Sequence, residues 1–137
     1  MNWTLEVVVV PVSDIDRAKD FYEKKVGFTV DHDTRIDGGP QIVQLTPPGS
    51  GCSIVLGKGF VDMEPGSLRG LQLVVSDIHA ARAHLVERGV EVGEVQVMGK
   101  AGARPSREGD DLNNVGFVFF TDPDGNGWAV QQITSRG

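Results

Sequence analysis

The chain has 137 residues, with 13 Lys and Arg against 19 Asp and Glu, for a net charge of −6. That length suits one domain with its own core, needing neither disulfide nor structural metal, and the acidic balance argues against a nucleic-acid partner, whose phosphates call for an excess of Lys and Arg. A single cysteine, Cys52, excludes an internal disulfide, and no CxxC pair offers a zinc site.

From Val7 the residues alternate as a strand, with Val8, Val10 and Val12 on one face and Val7, Val9 and Pro11 on the other. Pro11 stops the apolar run far short of a membrane span. No basic stretch followed by an apolar one opens the chain, so the expected setting is the reducing cytoplasm. Ser13-Asp14 supplies N-cap oxygens to a helix carrying Ile15, Ala18 and Tyr22 on one face, and Gly27 stops it. A strand from Phe28 to Ile36 follows. Alternation places His32 with Phe28, Val30 and Ile36, and Asp31, Asp33 and Arg35 on the opposite side. Residues 41–46 and 52–56 read as a hairpin turned by Pro47-Pro48-Gly49. A link over 58–68, with Gly59, Pro65 and Gly66, closes the first half.

The second half repeats the first. Val12-Ser13-Asp14-Ile15 returns as Val75-Ser76-Asp77-Ile78, an offset of 63. Leu71, Leu73 and Val75 then match Val8, Val10 and Val12, and Gly70, Gln72 and Val74 match the other face. The helix carries Ile78, Ala81 and Leu85 and ends at Gly89; a strand from Val90 to Val97 follows. Residues 116–121 align with 41–46, and Gly127–Gln131 with Cys52–Leu56, both at an offset of 75. The growth by 12 puts an insertion in the run from Met98 to Asn114, expected as one long loop whose residues 99–114 form a mobile flap. Each half is thus β-α-β-β-β, about residues 1–57 and 69–135 of a single domain.

Two runs carry a family resemblance: Val10-Pro11-Val12-Ser13-Asp14-Ile15-Asp16-Arg17-Ala18-Lys19-Asp20-Phe21-Tyr22, closing in Gly27-Phe28, and Thr121-Asp122-Pro123-Asp124-Gly125-Asn126-Gly127-Trp128. In their order and spacing the chain resembles the vicinal oxygen chelate superfamily, which includes glyoxalase I, bleomycin-resistance proteins, extradiol dioxygenases and fosfomycin-resistance enzymes. The resemblance implies an α+β fold, two βαβββ modules forming a curled mixed sheet around a cavity. It also implies where a metal would sit. The family's usual first ligand falls at Val7, whose counterpart is Gly70; its usual last ligand falls at Ala129, whose counterpart is Ile54. None of the four can ligate through its side chain. No metal and no other cofactor is therefore expected, although a shift of one residue would bring Glu6 to the first position.

The cavity-facing set expected from the alternation is Val7, Val9, Gln44, Ile54, Leu56, Gln72, Val74, Phe117, Phe119, Ala129 and Gln131, apolar walls with a few orienting amides. Phe120 and Trp128 alternate away from it as core. His32 and Glu6 are the candidate acid–base residues. His84 is expected half-buried and His79 exposed; Cys52, without a paired histidine, reads as inert; Arg104 and Arg107 read as solvated loop charges. The function implied is that of a metal-free protein binding a small hydrophobic or aromatic molecule, in the manner of sequestration or resistance. The alternative is a glyoxalase-like lyase, isomerase or dioxygenase with a non-standard site. The partner set is a small-molecule ligand, no nucleic acid, no membrane, and a second copy in a homodimer that covers exposed strand edges.

Overall fold

The chain divides into two units, residues 1–68 with 122–126, and residues 69–121 with 127–137. The computed structural model describes residues 1–39, 41–58 and 62–136; residues 59–61 of the expected link, Gly59 among them, lie outside the described residues.

In the first unit the alternating valines form β1 (Val7–Pro11), and Asp14, extended at φ −138°, accepts the Arg17 N–H at 3.1 Å to start α1 (Ile15–Asp20). A π-helical segment, Phe21–Val26, continues α1 and ends at Gly27 in the left-handed region (φ 101°), where the Tyr22 carbonyl accepts from both Gly27 and Phe28. Then come β2 (Thr29–Arg35), β3 (Gln41–Thr46) and β4 (Ser53–Gly57), in the sheet order β1-β4-β3-β2. β1 and β4 are parallel and the remaining pairs antiparallel. One sheet face buries Val10, Val43, Leu45, Ile54 and Leu56; Ile15, Ala18 and Tyr22 of the helical stretch are buried with them. Burial of each such side chain stabilises the fold by about 1.5–3 kcal/mol.

The unit is closed by a buried polar cluster. Asn126 is fully buried, donating to the Pro11 carbonyl (2.9 Å) and to Asp122 (2.7 Å) while accepting from the Leu68 N–H (3.1 Å). One Asp122 oxygen accepts the N–H groups of Asp124, Gly125 and Asn126, and the other accepts the Tyr22 hydroxyl at 2.7 Å. The Asp124 carboxylate accepts from the backbone and hydroxyl of Ser13 and from Arg17. Gly66 completes the cluster at φ 81°, so close to the Asp124 carbonyl that a Cβ would stand 2.0 Å from its oxygen. No buried side-chain polar atom among the described residues lacks a partner.

The second unit runs β5 (Leu71–Val75), α2 (Ile78–Glu87), β6 (Gln96–Gly99), β7 (Gly102–Pro105), β8 (Gly116–Thr121) and β9 (Gly127–Gln132), in the sheet order β5-β9-β8-β6-β7. Asp77 caps α2 as Asp14 caps α1, accepting the Ala80 N–H at 3.1 Å. Val118, Val130, Phe120 and Trp128 are buried on the helix side of this sheet with Ile78 and Leu85. His84 is exposed, because Leu85 takes the inward position.

Three further expectations need correction. The strand foreseen from Val90 begins only at Gln96, with Val92 making an isolated bridge to Phe120. The insertion is not one loop: β6 and β7 form a hairpin, with Gly99 opposite Gly102. Its flank is tied down by Arg104, which grips both Asp110 oxygens at 3.0 and 2.9 Å, while the Arg107 N–H adds a third bond at 2.6 Å. Arg104 is therefore no solvated loop charge. No helix among the described residues is long and apolar enough to cross a membrane.

Both features are testable. Asn126→Ala removes three hydrogen bonds from a buried position and should lower stability by about 3 kcal/mol in urea denaturation; a loss below about 0.5 kcal/mol, the level of an ordinary surface change, would contradict this role. The Arg104 bonds, first, and the Arg107 N–H, second, hold the Asp110 carboxyl at about 2, down from 3.8. A depressed carboxyl stabilises above its unfolded value and loses that contribution as pH falls through its folded one. The clamp should thus hold above about pH 4 and open toward pH 2. In a carboxyl-carbon NMR titration Arg104→Gln should move the Asp110 midpoint back up toward 3.8.

Candidate ligand-binding faces

In each unit the sheet face away from the helix is the candidate site. In the first unit Val9 stands opposite Val55, Val55 opposite Gln44, and Gln44 opposite His32, so one row across that face reads Val9, Val55, Gln44, His32. Beside it lie Val7 opposite Ser53, and Thr46, which shares a 2.6 Å hydrogen bond with Ser53 and donates to Asp31.

Ile54 and Leu56 are not on this face. They pair with Val8 and Val10 and are buried on the helix side. The physical reason is loop length. Residues 47–52 join β3 to β4, one more than the 122–126 that join β8 to β9. A strand slipped by one residue shows its opposite face, so the counterpart of Ala129 is Val55 rather than Ile54.

His32 reaches the open face by a different irregularity. Val30 pairs with Leu45 and His32 with Gln44, leaving Asp31 as the extra residue of a bulge. Val30 and His32 therefore lie on opposite faces, contrary to simple alternation. Asp33 is on the helix side, where it accepts from Arg35 (2.8 Å) and Lys19 (2.7 Å). The Arg35 bond chiefly, and then that of Lys19, holds its carboxyl below the usual value. His32 itself is exposed and has no hydrogen-bond partner among the described residues. Glu6 precedes β1 and is exposed; only its carbonyl is engaged, by the Ser53 N–H at 2.9 Å.

The second unit gathers its expected residues on one face. Gln72 stands opposite Ala129 and Ala129 opposite Phe119; in the next row Val74 stands opposite Gln131, Gln131 opposite Phe117, and Phe117 opposite Gln96. Phe117 and Phe119 stack at 6.0 Å with planes 6° apart. Gln72 donates to Gln131, which in turn donates to the Asn114 carbonyl at 2.7 Å. Phe119 keeps 45% and Val74 47% of its surface exposed, the opposite of core behaviour. Phe120 and Trp128 stack on the other face, both buried, as expected.

Phe119 and Ala129 line a cavity of about 440 Å³ together with Arg69, Gly70, Glu91, Thr121 and Gly127, and with Phe120 and Trp128, which are themselves buried. That volume suits a small-molecule site. The row beside Ala129 and Phe119 begins with Gly70, which projects no side chain and leaves open space; at Gly127 the Arg69 stem takes the place of a side chain. Arg69 and Glu91 were not foreseen: both fall outside the regular strands, where periodicity gives no signal. Among the described residues no three His, Cys, Asp or Glu side chains cluster as a metal site. Val7, Gly70, Val55 and Ala129 offer no side-chain donor.

The sequence profile of the Glyoxalase/Bleomycin resistance protein/Dioxygenase superfamily matches residues 4–130. The chain belongs to that superfamily. Among solved structures, this superfamily member is similar to TnmS3, an antibiotic binding protein from Streptomyces sp. CB03234, with 36% identity over 96% of this chain and 97% of that one and a TM-score of 0.74. A glyoxalase/bleomycin resistance protein from the same strain is also 36% identical, covering 94% and 100% of the two chains, with a TM-score of 0.71. A superfamily member from Sphaerobacter thermophilus DSM 20745 is 28% identical over 96% and 98%, with a TM-score of 0.75. No protein of curated function matches at a significant level.

The register makes a direct prediction. Ile54→Lys buries a charge on the helix side and should cost about 3 kcal/mol or more, whereas Val55→Lys on the open face should leave the fold intact. A larger loss of thermal stability in Val55→Lys than in Ile54→Lys would mean that the faces of β4 are assigned the wrong way round.

Proposed function

We propose that the protein binds a small hydrophobic or aromatic molecule without a metal ion and acts by holding it, as a sequestration protein does. The observation that carries the reading is the cavity on the open face of β5, β9 and β8, with an exposed phenylalanine, Phe119, standing over small residues. A ring has what it needs there: an aromatic wall to stack on and apolar surface to leave water against. The likeness to an antibiotic binding protein at 36% identity supports a small-molecule ligand. The metal-free part rests on the residue types at Val7, Gly70, Val55 and Ala129, none of which brings an N, O or S side-chain donor.

A second reading is favoured by one observation. The bulge at Asp31 delivers His32, whose imidazole has no hydrogen-bond partner among the described residues, to the same face as Gln44. In that reading the protein is an enzyme of the superfamily with His32 as acid or base, and any turnover found should vanish in His32→Gln.

Calorimetric titration with a panel of planar aromatics tests the first reading. Phe119→Ala should weaken binding by about 1–3 kcal/mol, tenfold or more, and EDTA should leave the parent's affinity unchanged. Binding that EDTA abolishes would overturn the metal-free reading.

A further inference from the structure

The cavity carries opposite charges at its two ends. Thr121 stands opposite Gly127, and Gly70 precedes the pair Leu71–Trp128, so Gly70, Gly127 and Thr121 follow one another across β5, β9 and β8. The bridge between Val92 and Phe120 sets Glu91 next to Thr121. Two interstrand steps, about 10 Å, therefore separate Gly127 from Glu91. Arg69 lies across this row: a Cβ on Gly127 would come within 2.9 Å of the Arg69 Cδ, so the absent side chain is what admits the arginine stem over β9. A guanidinium has five donors and no acceptor. At the far end Glu91 is exposed, with no hydrogen bond and no cation partner among the described residues. An ionised carboxylate accepts only. Between the Arg69 stem and Glu91 lies Thr121, with Phe119 and Ala129 alongside.

We propose that the cavity selects a planar aromatic molecule with a hydrogen-bond acceptor or negative charge at one end, read by Arg69, and a donor at the other, read by Glu91. The ring lies between the Arg69 stem on β9 and Glu91, against Phe119. A ligand acidic at both ends meets Glu91 as a like charge, and one basic at both ends meets Arg69, so the pair rejects both while admitting the dipolar molecule. The inference rests on the small-molecule reading above and adds to it the class of ligand.

The test is a fluorescence titration of the full chain with four probes: naphthalene, naphthoate, aminonaphthalene, and a naphthoate with an amino group on the far ring. The last should bind tightest, by about tenfold over either singly substituted probe, the effect of one charge-assisted hydrogen bond. Arg69→Gln should erase the gain from the carboxylate and keep that from the amine; Glu91→Gln should do the reverse. Both positions are exposed, so circular dichroism should be unchanged in each variant. Four probes that bind alike, or an order that neither variant alters, would overturn dipolar selection and leave small-molecule binding standing. Failure of all four probes to bind would remove both.

Discussion

A carboxylate and an amide with every polar atom bonded organise this protein. Asp122 gathers three backbone N–H groups of its own turn on one oxygen, and gives the other to Tyr22 and Asn126. Buried polar groups are expensive when unmatched and rigid when fully matched. The matched set fixes the turn at five residues, 122–126, and with it the pairing of Thr121 with Gly127. Strand faces follow from that pairing alone, because each residue moved along a strand changes sides. Phe119 and Ala129 share the open face, and Phe120 and Trp128 the buried one, as a consequence of the turn.

The open face of the second unit then differs from that of the first by subtraction. Where the first unit places Val7 and Ser53, the second has Gly70 and Gly127. Gly70 leaves its place on the row open and Gly127 admits the Arg69 stem, beside the ring of Phe119 and the small Ala129. Gly70 matters for chemistry as well: with Ala129 it stands where the superfamily resemblance puts metal ligands, and neither carries a side-chain donor.

Legibility in the sequence followed regularity. The β-α-β-β-β order of the first unit, both Asp caps and the common sheet face of Gln72, Val74, Phe117, Phe119, Ala129 and Gln131 could be read, because those strands pair without interruption. Ile54 and Leu56 were assigned to the wrong face for want of one count, the extra residue in the 47–52 connection. His32 was grouped with Val30 because alternation does not reveal a bulge, which only the partner strand defines. The β6–β7 hairpin was hidden in a run rich in glycine and charge. Its flank is tied by Arg104 and Asp110, six positions apart, a pairing no period announces. Arg69 and Glu91 escaped for the same reason: irregular backbone places them, and only the sheet they flank gives them a common purpose.

The central claim is that a small molecule lies on the open face of the second unit, against Phe119. Amide chemical-shift mapping with a bound planar aromatic tests it most directly. The account predicts that the largest changes fall at Gly70, Thr121, Gly127 and Ala129, with intermolecular contacts to the ring of Phe119, and that Val118 and Val130 on the buried face move little. Changes concentrated instead around His32, Gln44 and Val55, with Gly70 and Gly127 silent, would contradict it and place the ligand on the other sheet.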